Sequence, residues 1–227
     1  MTAKHALIIG ASRGLGLGLV EQLLRDGWKV TATVRQPLKA QALAALGPVR
    51  IEPLDMDDHE AIKALSLKLD GEVFDLVFVN AGIIGPKDQT CGTASLADIG
   101  QLFLTNSVAP INLAKAFVSK IRKDTGVLAF MSSGLGSVTA ADAPELALYK
   151  ASKAALNSMT NTFVSQLAGN SPTVLTLHPG WVKTEMGGDH AEIDVATSTR
   201  GLVAQVNAYA GKPGHFFIDY TGKTLPW

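Results

Sequence analysis

Short apolar runs of strand length alternate with longer amphipathic stretches along nearly the whole chain, and this alternation limits the fold more than any other feature. The strand-length runs are Ala6–Ile9, Lys29–Val34, Val49–Glu52, Leu76–Asn80, Val127–Met131, Thr173–Leu177 and Phe216–Ile218. The helical stretches are Leu15–Arg25, Leu38–Leu46, Asp58–Leu69, Asp98–Arg122, Ala147–Leu167 and Val195–Ala208. Strand followed by helix, many times over, predicts a parallel sheet with helices on both faces. Several strands are apolar almost throughout, as a strand must be when both its faces are covered. Right-handed crossovers then make the α/β chain a doubly wound sheet of about seven strands. In such sheets a ligand binds beyond the carboxyl ends of the strands. The residues that follow the strands are therefore the ones to read for function.

The first of these turns is rich in glycine. Ala6–Ile9 is followed by Gly10-Ala11-Ser12-Arg13-Gly14-Leu15-Gly16 and then by a helix. Glycines let the backbone turn tightly and come close to a phosphate, and the helix start offers free N–H groups and a positive dipole end. A glycine cluster alone is a weak signal, but a strand before it and a helix after it are the context that a dinucleotide site requires. The spacing, Gly-x-x-x-Gly-x-Gly, is one residue wider than the usual fingerprint. Domain organisation follows: residues 1–227 read as a single dinucleotide-binding domain of Rossmann type, with no repeat, low-complexity tract or long linker.

The second strand bears on the choice of cofactor. An NAD-binding site carries an acid near its end, to hold the ribose 2′-hydroxyl. Here the segment reads Thr33-Val34-Arg35, with no acid, and the glycine turn itself carries Arg13. Two guanidinium groups suit a 2′-phosphate, which they can grip in bidentate fashion. The reading is NADP(H) in preference, with NAD(H) as the lesser partner.

Composition excludes several other classes. Lys and Arg number 20, as do Asp and Glu, so no basic excess exists to hold nucleic acid or an anionic membrane. The lone cysteine, Cys91, cannot form an internal disulfide and lies in a polar stretch without a neighbouring histidine. The apolar run near the N-terminus is too short for a signal h-region or a membrane span, so a cytoplasmic location is expected. The five histidines, His5, His59, His178, His190 and His215, do not pair at metal-ligand spacing, so no metal is expected. Asp57 or Asp58, in the acidic run after the third strand, reads as a helix N-cap.

Tyr149 and Lys153 stand four residues apart at the start of a helical stretch, hence on one face. An ammonium close to a tyrosine favours the phenolate and lowers its pKa, which tunes it for proton transfer. Tyr-x-x-x-Lys alone is a common coincidence. Its company gives it weight. Val127–Met131 runs into Ser132-Ser133-Gly134, and Leu76–Asn80 into Asn80-Ala81-Gly82. Thr105-Asn106-Ser107 falls in a long helical stretch, and Thr173–Leu177 is followed by His178-Pro179-Gly180-Trp181-Val182-Lys183-Thr184.

In this order and context the set resembles the short-chain dehydrogenase/reductase family over essentially the whole chain. The shorter length and the ending Tyr220-Thr221-Gly222…Leu225-Pro226-Trp227 resemble the branch of C-factor proteins and sniffer-type carbonyl reductases. The resemblance implies a cofactor turn at Gly10, Ser12, Arg13, Gly14, Leu15 and Gly16, with Arg35 beside it. It implies adenine contact at Asp55 and Met56, and packing of Asn80, Ala81 and Gly82 against the adenosine side. Pro179, Gly180, Val182 and Thr184 match the segment that holds the carboxamide and pyrophosphate. Tyr149 matches the general acid/base, Lys153 the ribose contact that lowers the tyrosine pKa, and Asn106 the residue that keeps a proton-relay water. The serine that orients the substrate oxygen is best matched by Ser133, since Ser132-Ser133-Gly134 at a strand end mirrors the family pattern, with Ser137 as the competitor. Ser133 closes a strand but stands sixteen positions before Tyr149, a wide gap for the family; Ser137 stands twelve before it.

The expected reaction is hydride transfer between a nicotinamide cofactor and a small-molecule carbonyl or alcohol substrate. The alternative is a cofactor-binding signalling or regulatory module of the same fold with little turnover, since folds do not dictate function. The segment after Thr184, with Gly187-Gly188, is expected to cap the pocket and to be mobile. The long helical stretches Asp98–Arg122 and Ala147–Leu167 resemble the pair that makes family homodimers or homotetramers.

Overall fold

The structure, a computed structural model, describes residues 3–139, 143–167 and 171–227. Met1 and Thr2 of the N-terminal stretch lie outside the described residues. Seven strands form one sheet: β1 (His5–Ile9), β2 (Lys29–Val34), β3 (Val49–Pro53), β4 (Leu76–Val79), β5 (Val127–Met131), β6 (Thr173–His178) and β7 (His215–Asp219). Every neighbouring pair is parallel, in the order β3-β2-β1-β4-β5-β6-β7. The chain starts in the middle, winds outward one way through β2 and β3, then crosses back to β4 beside β1. The switch between β1 and β4 opens the crevice where such sheets take a ligand.

Side chains alternate across β1 and so divide between two cores. Ala6 and Ile8 pack with Leu19, Val20 and Leu23 of α1 (Gly14–Arg25) and with Leu202, Val203 and Val206 of α7 (Val195–Tyr209). Leu7 and Ile9 face the other layer: α3 (His59–Lys68), α5 (Ala109–Phe117) and α6 (Ala147–Gln166), through Ile62, Leu65, Phe117, Leu156 and Phe163. The fully apolar strands are thus explained by two covered faces. Gly18 lets α1 and α7 meet closely, because a Cβ there would stand 2.4 Å from Val195 Cγ1.

Two helical expectations need correction. The stretch Leu38–Leu46 is only a 3₁₀ turn (Pro37–Lys39) followed by a four-residue helix α2 (Gln41–Ala44). Its residues Leu38 and Lys39 are exposed and only Ala40 and Leu43 are buried, so too narrow a stripe reaches the core to hold a longer helix. The stretch Asp98–Arg122 starts earlier, at α4 (Leu96–Phe103), where the Ser95 hydroxyl accepts the Asp98 N–H at 3.0 Å. It is then broken by a π-turn, Leu104–Val108, before α5. Pro110 at the start of α5 has no N–H to give, which disfavours regular helix just before it. Asp58, by contrast, caps α3 as expected, accepting the N–H groups of Glu60 and Ala61. Among the described residues no helix is long and apolar enough to cross a membrane.

Candidate active site

The carboxyl ends of six adjacent strands bring the singled-out residues to one edge. In sheet order, Asp55 follows β3, Arg35 follows β2, Gly10 follows β1, Asn80 follows β4, Ser133 follows β5 and Pro179 follows β6. The glycine turn is held from several sides. The Gly10 N–H donates to Thr33 Oγ1 at 3.1 Å, and Asn80 Nδ2 donates to Gly10 O at 2.7 Å. Gly10 has φ +83°, and a Cβ on it would stand 2.6 Å from the Cβ of Ala81. A Cβ on Gly16 would strike Gly10 O at 2.0 Å. The glycines therefore serve close approach of backbone to backbone as well as an open turn.

α1 begins at Gly14 with Arg13 as N-cap, no side-chain cap and no acid in its first turn. Its first N–H groups, including that of Leu15, have no intrahelical partner and face outward with a positive dipole end. Ser12 and Arg13 are exposed beside them. This uncapped, glycine-cleared helix end fits the diphosphate of a dinucleotide. Thr184 comes close to Gly14: a Cβ on that glycine would lie 3.6 Å from Thr184 Cγ2. Thr184 Oγ1 accepts the Gly187 N–H at 3.1 Å and Trp181 Nε1 donates to Gly187 O at 2.8 Å. The Lys183 N–H donates to Ile193 O at 2.8 Å, and Val182 and Ala191 are buried. The segment after Thr184 is thus folded against its own base by hydrogen bonds. Gly180, at φ +83°, is closed in by Ile193 and Tyr220, while Ser198 Oγ donates to Pro179 O at 2.7 Å.

The two arginines are placed differently from one another. Arg13 forms an ion pair with Glu185, both side chains being largely exposed. Arg35 is exposed and has no side-chain hydrogen bond or ion pair among the described residues. Asp55 is exposed and accepts the Asp57 N–H at 3.2 Å, and Met56 is buried beneath it.

Tyr149 lies in the first turn of α6, and Lys153 one turn later. Both are buried, and Lys153 Nζ is 5.8 Å from the centre of the Tyr149 ring. Ser133 closes the gap in sequence by a 3₁₀ turn, Gly134–Gly136, that packs directly on α6. Asn157 Nδ2 donates to Gly136 O at 3.2 Å, and Ser132 Oγ donates to Asn157 Oδ1 at 2.7 Å. Ser132 thereby faces away while the Ser133 side chain lies beside Tyr149 and draws its pKa down. Ser137 is engaged elsewhere, with Thr139 Oγ1 at 3.0 Å. Asn106 sits in the π-turn, a helix distortion common at functional sites. Its Oδ1 accepts the Ile83 N–H at 2.9 Å, and its Nδ2 donates to Ile83 O at 2.8 Å and Ser152 Oγ at 3.0 Å. A Cβ on Gly82 would lie 3.2 Å from Asn106 Oδ1 and 3.4 Å from Lys153 Nζ. Asn106 and Lys153 therefore meet over the backbone of Gly82.

The electrostatics differ from the sequence expectation. Burial pushes the Tyr149 hydroxyl up to about 12, and the Ser133 hydrogen bond offsets only part of this. Burial also lowers Lys153 to about 8. Lys153 Nζ donates to Met131 O at 2.9 Å rather than to the tyrosine, so its charge does not pull the phenol down. Loss of water around both groups outweighs their attraction for one another.

A depressed lysine pKa costs stability wherever the unfolded chain is protonated and the folded chain resists it. The stability associated with the neutral amine is fully present above 10.5 and is lost as pH falls through about 8. From pH 7 to pH 9 the wild type is therefore expected to gain on the order of 1 kcal/mol that Lys153→Met does not gain. Unfolding midpoints in denaturant for both proteins at the two pH values check it; parallel pH slopes would refute it.

Several residues at this edge carry no sequence pattern. Asp57 Oδ2 accepts Thr105 Oγ1 and Gln101 Nε2, both at 2.7 Å, and so ties the loop after β3 to the π-turn. His178 lies against Gly134, where a Cβ would be 3.2 Å from the ring, and burial lowers its pKa. Gln89 reaches the backbone of Tyr149 from a distant loop.

This sheet, with its glycine turn and Tyr–Lys helix, has known counterparts. The family model for short chain dehydrogenases matches residues 4–193. The chain belongs to the short-chain dehydrogenase/reductase family. A carbonyl reductase from Pseudomonas aeruginosa in complex with NADP is 39% identical, with TM-score 0.93 over 100% of both chains. The carbonyl reductase Sniffer of Drosophila melanogaster is 30% identical, with TM-score 0.89 over 100% of both chains. C-signal of Myxococcus xanthus is 31% identical over 158 residues, which is 67% of this chain and 92% of that protein. This short-chain dehydrogenase/reductase thus has carbonyl reductases among its structural relatives, the Pseudomonas aeruginosa protein being in complex with NADP.

Proposed function

We propose that this oxidoreductase reduces an aldehyde or ketone, with Tyr149 as the proton donor and NADP(H) as the preferred cofactor. The observation that carries the proposal is the Tyr149 side chain, buried beside Ser133 and one helix turn before the buried Lys153. Such a phenol stays protonated at neutral pH. It carries the proton that a carbonyl oxygen takes up on reduction. Ser133, fixed by its turn on α6 beside Tyr149, orients the substrate oxygen and donates to the charge that grows there. Ser137 is turned to Thr139 and does not compete for this role.

The residues of the opposite half hold the cofactor. The uncapped N-terminus of α1 with Ser12, Leu15 and the three glycines takes the diphosphate, and Pro179, Gly180, Val182 and Thr184 line its other side. Asp55 and Met56 flank the adenine, Asn80-Ala81-Gly82 supports the adenosine side, and Arg35 and Arg13 take the 2′-phosphate. Bound there, a nicotinamide dinucleotide supplies the hydride that the side chains cannot. Lys153 and Asn106, meeting over Gly82, hold the ribose and the route by which Tyr149 regains its proton. The exposed apolar side chains Val138, Trp181 and Met186 lie on segments leaving the carboxyl ends of β5 and β6, which suits an apolar carbonyl compound. The protein works as a single domain on a small molecule, in the cytoplasm, as a homodimer or homotetramer.

NADPH consumption over a panel of aldehydes and ketones tests the proposal. Turnover of at least one apolar carbonyl class is expected. NADPH binding without consumption across all classes would overturn it in favour of a cofactor-binding module.

A further inference from the structure

The first N–H groups of an α-helix lack partners within the helix, and an N-cap side chain usually accepts one. α6 has no such side chain. Its N-cap is Leu146, reached through the 3₁₀ turn Pro144–Leu146. The N–H of Tyr149, third residue of α6, donates instead to Oε1 of Gln89 at 2.9 Å, 60 positions earlier in the chain. Gln89 is only 7% exposed, and its Nε2 donates to Pro86 O at 2.7 Å and Ile84 O at 3.1 Å. The three bonds fix the amide orientation: turned over, it would set NH₂ against N–H and oxygen against two carbonyls. The loop so gathered follows directly on Ile83, whose backbone is held by Asn106. Gly85, at φ +89°, seats it further; a Cβ there would be 2.9 Å from Leu102 and 3.4 Å from Gln89 Nε2.

We infer that Gln89 is a positioning residue for Tyr149. From a loop remote in sequence it supplies the helix cap that Leu146 cannot, and it locks the tyrosine backbone to the loop that Asn106 anchors. Its bonds run only to backbone atoms, so it acts through Tyr149 and not on the reacting atoms. The inference rests on Tyr149 being the proton donor.

The test uses Gln89→Leu, which keeps the bulk and loses all three bonds, and Gln89→Glu, whose carboxyl still accepts the Tyr149 N–H. Each is measured alone, and Gln89→Leu also on a Tyr149→Phe background, for kcat, KM and NADPH affinity. Gln89→Leu is expected to lower kcat about tenfold to a hundredfold, the scale of a misplaced catalytic group, with NADPH affinity within about twofold. Gln89→Glu is expected to recover only part of the lost kcat, because its carboxyl accepts the Tyr149 N–H but sets an oxygen against Ile84 O and Pro86 O where the amide donated. On the Tyr149→Phe background Gln89→Leu is expected to cost nothing more, because two changes acting through one group are not additive. Should Gln89→Leu not fold, Gln89→Asn, whose shorter side chain withdraws the amide, takes its place with the same expected loss. Wild-type turnover in Tyr149→Phe would overturn the proton-donor reading itself. Loss in Tyr149→Phe with wild-type kcat in Gln89→Leu, or an equal loss from Gln89→Leu on both backgrounds, would overturn the inference about Gln89 alone.

Discussion

Tyr149→Phe is expected to slow carbonyl reduction by about 10²–10⁴-fold while NADPH affinity stays within about twofold, since general acid catalysis contributes on that scale. The substitution keeps the ring and its packing and removes one oxygen. Ser133 still accepts the Leu135 N–H at 3.1 Å, so the turn that carries it should hold. The pH profile adds a second handle. The acid form of Tyr149 is lost only as pH rises through about 12, whereas the charge of Lys153 is lost as pH rises through about 8. A falling limb of kcat/KM near pH 8 therefore belongs to Lys153, and it should vanish in Lys153→Met. Single-turnover rates and calorimetry on wild type and both variants decide the matter. Wild-type turnover without the Tyr149 hydroxyl would sink the mechanism while leaving the fold and family intact.

Arg35→Ala is expected to raise the NADPH dissociation constant at least tenfold and to leave NADH nearly unchanged, because a charge-assisted contact is worth about 1.5–3 kcal/mol. Arg35 stands exposed after β2, free to meet a 2′-phosphate. Arg13→Ala should cost less. Its guanidinium is already paired with Glu185, so part of any gain from phosphate is spent on leaving that carboxylate. The same reasoning makes Glu185→Gln tighten NADPH binding modestly, since exposed pairs are worth about 0–1 kcal/mol. Calorimetric titration with both cofactors checks all three. Equal affinity for NADPH and NADH in the wild type, or no change in Arg35→Ala, would remove the argument for a phosphate-gripping pair.

Most of the architecture was legible because both of its signals are local. Apolar runs bounded by turns mark strands whatever the rest of the chain does, and all seven sheet strands appear where the runs are. The glycine turn was legible because strand, glycines and helix are contiguous. The long helical stretch Asp98–Arg122 was not read correctly, because apolar periodicity continues through a π-turn. Only the packing of Asn106 against Ile83 and Ser152 shows why the helix widens there. The helix expected over Leu38–Leu46 failed for the opposite reason: its helix-forming residues find little core to face.

By itself, then, the amino-acid order determined the alternation of elements, the family resemblance, and which residue types stand after which strands. It favoured Ser133 over its competitor Ser137 by the place of Ser133 at a strand end, although the interval to Tyr149 is only a count along the chain. The tertiary structure packs the Gly134–Gly136 turn on α6, which sets Ser133 beside the tyrosine and leaves Ser137 bonded to Thr139, an arrangement that the count along the chain does not foretell. It also reversed the expected charge relation of Tyr149 and Lys153. Four residues of spacing promise a shared helix face, but the pKa of each group depends on how much water the neighbouring elements exclude. That exclusion comes from β5, the loop after β4 and the π-turn, which no local stretch of sequence contains. The cap on α6 is of the same kind: Gln89 reaches Tyr149 only because the sheet brings the loop after β4 beside the helix after β5.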